Sequence, residues 1–517
     1  MRVHYLVTIA VLGLTSAIFA APQRTPARES AIPRLADGKP NLQGIWQAAS
    51  TASADLQDHA ASLNMLAGRS VLAGGAAIPY QPWAATKRAE HFQNRLKDDP
   101  LNQCYMPGTP RIMYMDFPFQ IFQTPAAIAM TFEWSLIYRL IYTDGSPHRT
   151  DITEDWMGDS RGRWEGDTLV VDVGNYNDKT WFDMAGDFHS DALHVVERYR
   201  MTDRDTIQYD ATIEDPKVFT KPWTISLALR RRTERDRLYE YVCQSEVEES
   251  SGAFTREART WYPGDGTTPP AMPIPAQASA AAANVTGNIQ RTPDGKPALQ
   301  GFYESKTPGA NQGIQRLGRG PGVIVDPADG KLPLLPWSAA ETDSRNLPER
   351  GYDDPTAHCL PAGVPRSMYV PAAFHIIQTP EYIVFLHERM SWRIVPLDGR
   401  PHLPDTIRLW QGDSLGRWEN DTLVIDTTNL NGKTWLNEGG EVVSYAEHVV
   451  ERFTPTGPDA LRYEATVADP VVYSRPWTIA FPIAREKQFE MYESTCHETD
   501  HDLPHLKAIK DAAAAKK

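Results

Sequence analysis

A mainly β fold, two tandem antiparallel barrel-like domains arising from an internal duplication, is predicted for this 517-residue chain by three features. The first is a long repeat. GDSRGRWEGDTLVVD at Gly158 returns as GDSLGRWENDTLVID at Gly412, with twelve of fifteen positions identical and a shift of 254 residues. Further pairs keep nearly the same spacing: CYMPGTPRIMY at Cys104 with CLPAGVPRSMY at Cys359, and HVVERY at His194 with HVVERF at His448. Solenoid units run about 20 to 50 residues, so this period marks a duplicated domain. The second feature is period-two alternation. In DTIQYDATIED, Ile207, Tyr209, Ala211 and Ile213 fall on one face and polar residues on the other, the pattern of a half-buried antiparallel strand. The third is aromatic density, with 14 Trp and 20 Tyr, which suits β structure and apolar or sugar-like ligands.

From the N-terminus, Arg2, the apolar stretch Tyr5 to Phe19 and small Ala20 and Ala21 read as a secretory signal over residues 1–21,. No later segment is long and apolar enough to span a bilayer, so the mature chain is expected to be periplasmic or extracellular. The first copy covers residues 33–261, a Pro- and Ala-rich linker 262–288, the second copy 289–505 and a tail 506–517,. RWEGDTLVVDV reads as strand, turn, strand, with the turn at Glu165, Gly166 and Asp167,. Further strands are expected near 119–124, 127–134, 136–143, 193–201, 223–231 and 237–243, roughly eight per copy. Residues 50–98 hold the best helix candidate, HFQNRLKDD, and the matching stretch of copy two is Gly- and Pro-rich. Each copy has one early and one late cysteine, and of the three possible connectivities symmetry selects Cys104 with Cys243 and Cys359 with Cys496,.

The motif order is D-G-K-P-x-L-x-G, C-x-P-x-G-x-P-R, Q-T-P, D-G-x-P-H, W-x-G-D-S-x-G-x-W-E-G-D-T-L-V-V-D, N-D-K-T-W, H-S-D-A-L and P-W-T. It resembles a large family of secreted bacterial proteins of uncharacterised function, over nearly the whole mature chain. The resemblance implies export and carries no activity. The architecture also resembles tandem lipocalin-like (calycin-like) barrels, some of which act on isoprenoids while others only bind apolar ligands. That likeness is one of fold and licenses little about function.

Composition narrows the partners. Lys plus Arg number 52 against 66 Asp plus Glu, a net charge of -14 with no basic run, so nucleic acid is not an expected partner. No P-loop, G-x-S-x-G or dinucleotide fingerprint occurs in its proper context, and no organic cofactor is expected. A divalent metal stays open, with no ligand set assigned. His189 and Asp191 stand in copy one where copy two has Val443 and Tyr445. Two apart, they share a face if the stretch is extended, and could serve as base and orienting carboxylate or as a corner of a metal site. The alternative is a polar loop at a barrel rim. Glu133 and Glu388 end matching strands and are candidate acids. Candidate ligand contacts are His194, His448, Arg111, Trp156, Trp181 and His387. For the tryptophans, core packing is the competing reading. Glu197 and Arg198 read as a structural ion pair. His497, Glu498 and His501 match H-E-x-x-H but follow a cysteine at a strand end rather than lying on a buried helix, and are expected to form at most a metal-binding tail. The function expected is an exported binding protein for a small, largely apolar or aromatic ligand. The alternative is a lyase, isomerase, cyclase or hydrolase using His and carboxylate acid–base chemistry on an apolar or glycosidic substrate. Limited proteolysis should cut first between about Gly264 and Asn288, because this composition cannot bury enough apolar surface to offset its ordering entropy. Earlier cutting inside RWEGDTLVVDV would contradict the domain division.

Overall fold

The structure is a computed structural model and describes residues 32–150, 154–251, 272–274, 288–307, 309–317, 320–487, 490–494, 496 and 502–516. The expected signal segment, most of the linker and His497 to His501 lie outside the described residues.

Copy one contributes β1 (Gly44–Ala48), β2 (Phe119–Gln123), β3 (Ala127–Phe132), β4 (Tyr138–Tyr142), β5 (Asp159–Glu165), β6 (Thr168–Gly174), β7 (His194–Asp203), β8 (Thr206–Glu214) and β9 (Trp223–Arg231). They form a closed barrel in sequence order, β1 joining β2 on one side and β9 on the other. All neighbours are antiparallel except β4 and β5, which meet in parallel at Tyr142 and Arg161. Copy two contributes β10 (Gly301–Ser305), a small ribbon of β11 (Arg316–Leu317) and β12 (Gly320–Pro321), β13 (Ile324–Asp326), β14 (Phe374–Gln378), β15 (Tyr382–His387), β16 (Ser391–Pro396), β17 (Asp413–Glu419), β18 (Thr422–Thr428), β19 (His448–Gly457), β20 (Ala460–Ala468) and β21 (Trp477–Glu486). Nine of these repeat the path of the first barrel, and β13 adds to β21. β16 and β17 lie side by side with no ladder among the described residues, so this barrel is nearly closed.

The alternation read from the sequence sorts side chains as expected. Val195, Glu197, Tyr199 and Met201 of β7 and Ile207, Tyr209, Ala211 and Ile213 of β8 are buried, while Arg198 and Arg200 are exposed. At the centre of each barrel sits a buried ion pair. Arg139 donates to Glu197 and to Ser160 Oγ, and the Tyr199 and Tyr209 hydroxyls donate to the same carboxylate at 2.9 and 2.7 Å. Arg393, Glu451, Ser414 and Tyr463 repeat the arrangement. A buried pair is tolerable only when its remaining donors and acceptors are satisfied, which these hydroxyls do. The expected Glu197–Arg198 pair is therefore corrected. Neighbouring strand residues point to opposite faces, and Arg198 pairs outside with Glu165 at 3.0 Å.

Three other expectations change. Each barrel has nine strands, because the five-residue GIWQA and its counterpart close the sheet. Residues 237–243 form no strand, since that segment leaves its own barrel and crosses to the other. Cys243 opens a helix, α2 (Cys243–Ser251), rather than ending a strand. Among the described residues the other α-helices are α1 (Pro82–Asp98), α3 (Pro336–Arg345) and α4 (Leu503–Ala514). α1 contains the predicted HFQNRLKDD, α3 is its shortened counterpart, and α4 turns the Ala-rich tail into a helix that Lys510 ties to Asp353 at 2.7 Å. Among the described residues no helix is long and apolar enough to cross a membrane.

The two barrels dock through a pseudo-twofold face. Phe122, Ala129 and Tyr138 of β2, β3 and β4 meet Ile377, Val384 and Trp392 of β14, β15 and β16 in one apolar cluster, and Trp392 Nε1 donates to the Phe132 carbonyl at 2.8 Å. The segments after β9 and β21 are exchanged. Glu493 accepts from the Trp156 and Met157 backbone N–H groups of barrel one at 2.7 and 3.1 Å. Glu240 accepts from Trp410 and Gln411 of barrel two. Burial raises both carboxyls, to about 7 for Glu240 and about 8 for Glu493. The loops they cap turn at Gly158 and Gly412, with φ of +76° and +72°. A Cβ at Gly158 would lie 2.8 Å from Tyr176 and Val173, and one at Gly412 2.7 Å from Thr427, so glycine is required twice over.

Each exchanged segment returns to its own copy through a disulfide, Cys104–Cys243 and Cys359–Cys496, as symmetry predicts. Closing loops of 139 and 137 residues should stabilise each copy by about 5 kcal/mol in the chain-entropy model. Non-reducing peptide maps should show these two linkages, and Cys→Ser at either pair should lower the unfolding midpoint of that copy. A linkage between copies would contradict the pairing.

Candidate functional site

Three places gather polar side chains outside the barrel interiors. The first is a carboxylate–imidazole chain at the rim of each barrel. The starts of β5 and β7 and the end of β6 meet there, and the loop carrying D-G-x-P-H folds over them. In copy one His148 Nδ1 is 2.8 Å from Asp159 and its Nε2 is 2.9 Å from Asp172, whose same oxygen lies 3.2 Å from His194 Nε2. Copy two repeats this with Asp413, His402, Asp426 and His448 at 3.0, 3.2 and 3.0 Å. Asp413 also takes Arg237 from the exchanged segment of copy one at 2.8 Å, while Arg161 links Asp159 to Glu490 of copy two. Burial alone would lower the His402 pKa, but its hydrogen bonds to Asp413 and Asp426 and their charges outweigh it and raise it to about 9. Asp426 is held well below the usual carboxylate range: burial opposes this, and the two imidazoles prevail. A histidine donating from both nitrogens is an imidazolium, so His402 acts as a charged clasp. The sequence analysis placed His194 and His448 as ligand contacts but missed His148 and His402. The repeated DGSPH and DGRPH were the available signal.

The second place belongs to copy one alone. Asp55 on the arm after β1, and Asp183 and Asp187 on the loop after β6, bring one carboxylate oxygen each within 4.8 Å of one another, all buried. Arg88 of α1 reaches Asp187 at 3.0 Å and Asp55 at 3.2 Å, and the Tyr80 hydroxyl donates to Asp187 at 2.8 Å. Burial first, and then the Asp187 charge, push the Asp183 carboxyl well above its ordinary range. Trp181 stacks on His91 beside this cluster, with ring centroids 4.5 Å apart.

The third place is a cleft on copy two that adjoins a notch between the barrels. Among the described residues, a space of about 590 Å³ is lined by Thr356, Arg389, Glu438, Ser494, Cys496 and His505, among others. It shares Arg389, Ser494 and Cys496 with a notch of about 80 Å³ walled by Met106, Ile137, Val242 and Met390. The two therefore share a wall at these residues, and both disulfides border the notch. Arg389 is exposed and has no hydrogen bond or ion pair among the described residues. Copy one carries Trp134 at the matching point.

The expected His189–Asp191 pair is not formed. Residues 188–193 bend into a turn instead of running extended, so the two side chains part. His189 is buried, with Nε2 2.6 Å from Thr180 Oγ1 and Nδ1 2.9 Å from the Ser190 carbonyl, and burial lowers its pKa. Asp191 is exposed and pairs with Lys217 at 2.6 Å. Glu133 holds Arg235 and the Tyr239 N–H, and Glu388 accepts from Ala373, so each anchors a crossing chain or loop. Arg111 is buried and bidentate to Asp99 at 2.8 and 2.7 Å, repeated by Arg366 and Asp354. Trp156 stacks on Tyr105 at 5.1 Å. His387 is buried, its pKa lowered to about 3 by desolvation and then by Arg393. None of the ten expected site residues, His194, His448 and Trp181 included, lines the cleft or the notch. The residues of the cleft and the notch share no periodicity, because they come from eight separated segments.

The folded-state pKa of His402 lies above its unfolded value near 6.5. Its contribution to stability is therefore complete below about pH 6.5 and lost as pH rises through about 9. His402→Gln should lower the melting temperature most near pH 6 and hardly at all near pH 10, read by differential scanning fluorimetry; a constant deficit across that range would refute the clasp. Comparison of the chain with family models, with characterised proteins and with solved structures gives no match.

Proposed function

We propose that the protein is an exported binding protein for a small amphipathic molecule, with an apolar or aromatic body in the notch between the barrels and an anionic group in the adjoining cleft of copy two. The observation that carries this reading is Arg389, which stands in the lining of both the cleft and the notch. The cleft falls in the roughly 300–1,000 Å³ range of small-molecule sites, and the notch lies at a domain junction, which such sites favour. The notch offers thioether and aliphatic surface to the apolar body, and Met adapts to irregular shapes. Arg389, with no described partner, offers a fork for a carboxylate or sulfonate. Because each barrel interior is packed around a buried ion pair, the reading places the ligand outside the barrels rather than within one.

A second reading, acid–base catalysis, draws on the rim chains. His194 gives Nε2 to Asp172 and is about 42 % exposed in its side chain, which is the geometry of a carboxylate-oriented base.

Anilinonaphthalene sulfonate, an aromatic anion, is the probe. The native protein should bind it with one dominant site, and Arg389→Ala should weaken it by about 10- to 100-fold, the value of a charge-assisted hydrogen bond. Arg417→Ala, on an outer hairpin, and His194→Gln should leave it unchanged. Equal binding by the Arg389 variant would overturn the proposal; loss in His194→Gln alone would move the site to the rim.

A further inference from the structure

The geometry points to a divalent cation site, occupied by calcium, formed in copy one by Asp55, Asp183 and Asp187. Three observations carry it, independently of the ligand cleft.

The first is spacing. One carboxylate oxygen from each residue lies within 4.8 Å of the other two. Oxygens bound to one calcium at about 2.3–2.6 Å can stand no more than about 5 Å apart, so the three oxygens can share a single ion. The donors are carboxylate oxygens only, the hard set that calcium or magnesium takes and softer metals do not prefer.

The second is an acceptor with nothing to accept. Asp187 is fully shielded from solvent. Its Oδ1 takes Tyr80 and Arg88, but its Oδ2 is buried with no hydrogen-bond partner. Asp183 is equally buried; its oxygens take the Leu56 and Asp187 N–H groups at 2.9 and 3.1 Å, and its carboxyl lies against that of Asp187. A buried carboxylate oxygen left unpaired costs free energy, and a cation at that point removes the cost.

The third is charge. With all three ionised, the carboxylates and the guanidinium of Arg88 would carry two net negative charges in a buried space, and one divalent cation would bring the sum to zero. Copy two does not repeat the acidic cluster. Asn437 stands for Asp183, Glu441 for Asp187 and Thr342 for Arg88, so one carboxylate and no arginine remain. The site ties together three pieces of copy one distant in sequence: the arm after β1, α1 and the loop after β6. Bound calcium would hold the arm to the barrel.

The test uses the full mature chain dialysed against chelator. Equilibrium dialysis should recover one calcium per chain, not two. Calcium at 5 mM should raise the melting temperature by roughly 2–9 °C, as expected for a site of about 0.1–1 mM affinity. Asp183→Asn, which keeps shape and removes charge, should abolish both effects, and Glu441→Gln should leave them intact. Should Asp183→Asn fold poorly, terbium luminescence sensitised through Trp181 gives a second readout in the native chain: it should saturate at one ion and be displaced by calcium. No retained calcium and no thermal shift, with Asp183→Asn raising the melting temperature in chelator, would overturn the proposal and leave a carboxyl pair sharing a proton. Preference for zinc over calcium at the same residues would overturn the calcium assignment.

Discussion

Two half-buried glutamates, Glu240 and Glu493, each satisfy backbone N–H groups of the barrel opposite their own, and much of the remaining architecture hangs on that exchange. A backbone donor buried without a partner is costly, so neither W-x-G-D-S loop is complete without the other copy. The exchange carries the chain out across the neighbour and back to a disulfide in its own copy. That path brings both disulfides to the same notch between the barrels. It also ties the rim chains into the interface, since Arg237 of one copy ends on Asp413 of the other and Arg161 on Glu490. The twofold relation is an isologous contact written into one chain, with the ion pairs reversed in sign between the halves.

The barrels themselves serve as scaffolds. A guanidinium and a carboxylate at the core of each are surrounded by hydroxyls that satisfy them. Such a pair contributes little net stability compared with an apolar core. It does demand one alignment of β4 with β7 in copy one and of β16 with β19 in copy two. A one-residue slip of β7 or β19 would turn the glutamate outward, so the pair specifies register where alternating aliphatic residues alone would leave it freer.

Duplication made the two halves comparable, and their differences lie outside the barrels. Copy one grew a long arm and α1, which bury three aspartates with Arg88. Copy two placed Arg389 where copy one has a buried tryptophan. Both changes sit in connections rather than strands, where substitution least disturbs the ladders and where function usually accumulates.

What the sequence determined by itself was whatever is local or repeated: the domain duplication, the hairpin at Gly166, the faces of β7 and β8, the helix over HFQNRLKDD and the disulfide pairing. Each follows from side-chain period, turn chemistry or the symmetry of the repeat, and none needs knowledge of distant neighbours. Only the tertiary structure decided that His189 turns into the core while Asp191 faces water, that Glu197 meets Arg139 rather than Arg198, and that residues 237–243 cross to the other barrel instead of forming a strand. A two-residue spacing places side chains together only if the backbone is extended, and that is set by what packs around it. The cleft and the aspartate cluster were hidden for the same reason. Asp55 and Asp183 are far apart along the chain, and nothing in either local pattern records the fold that brings their oxygens together.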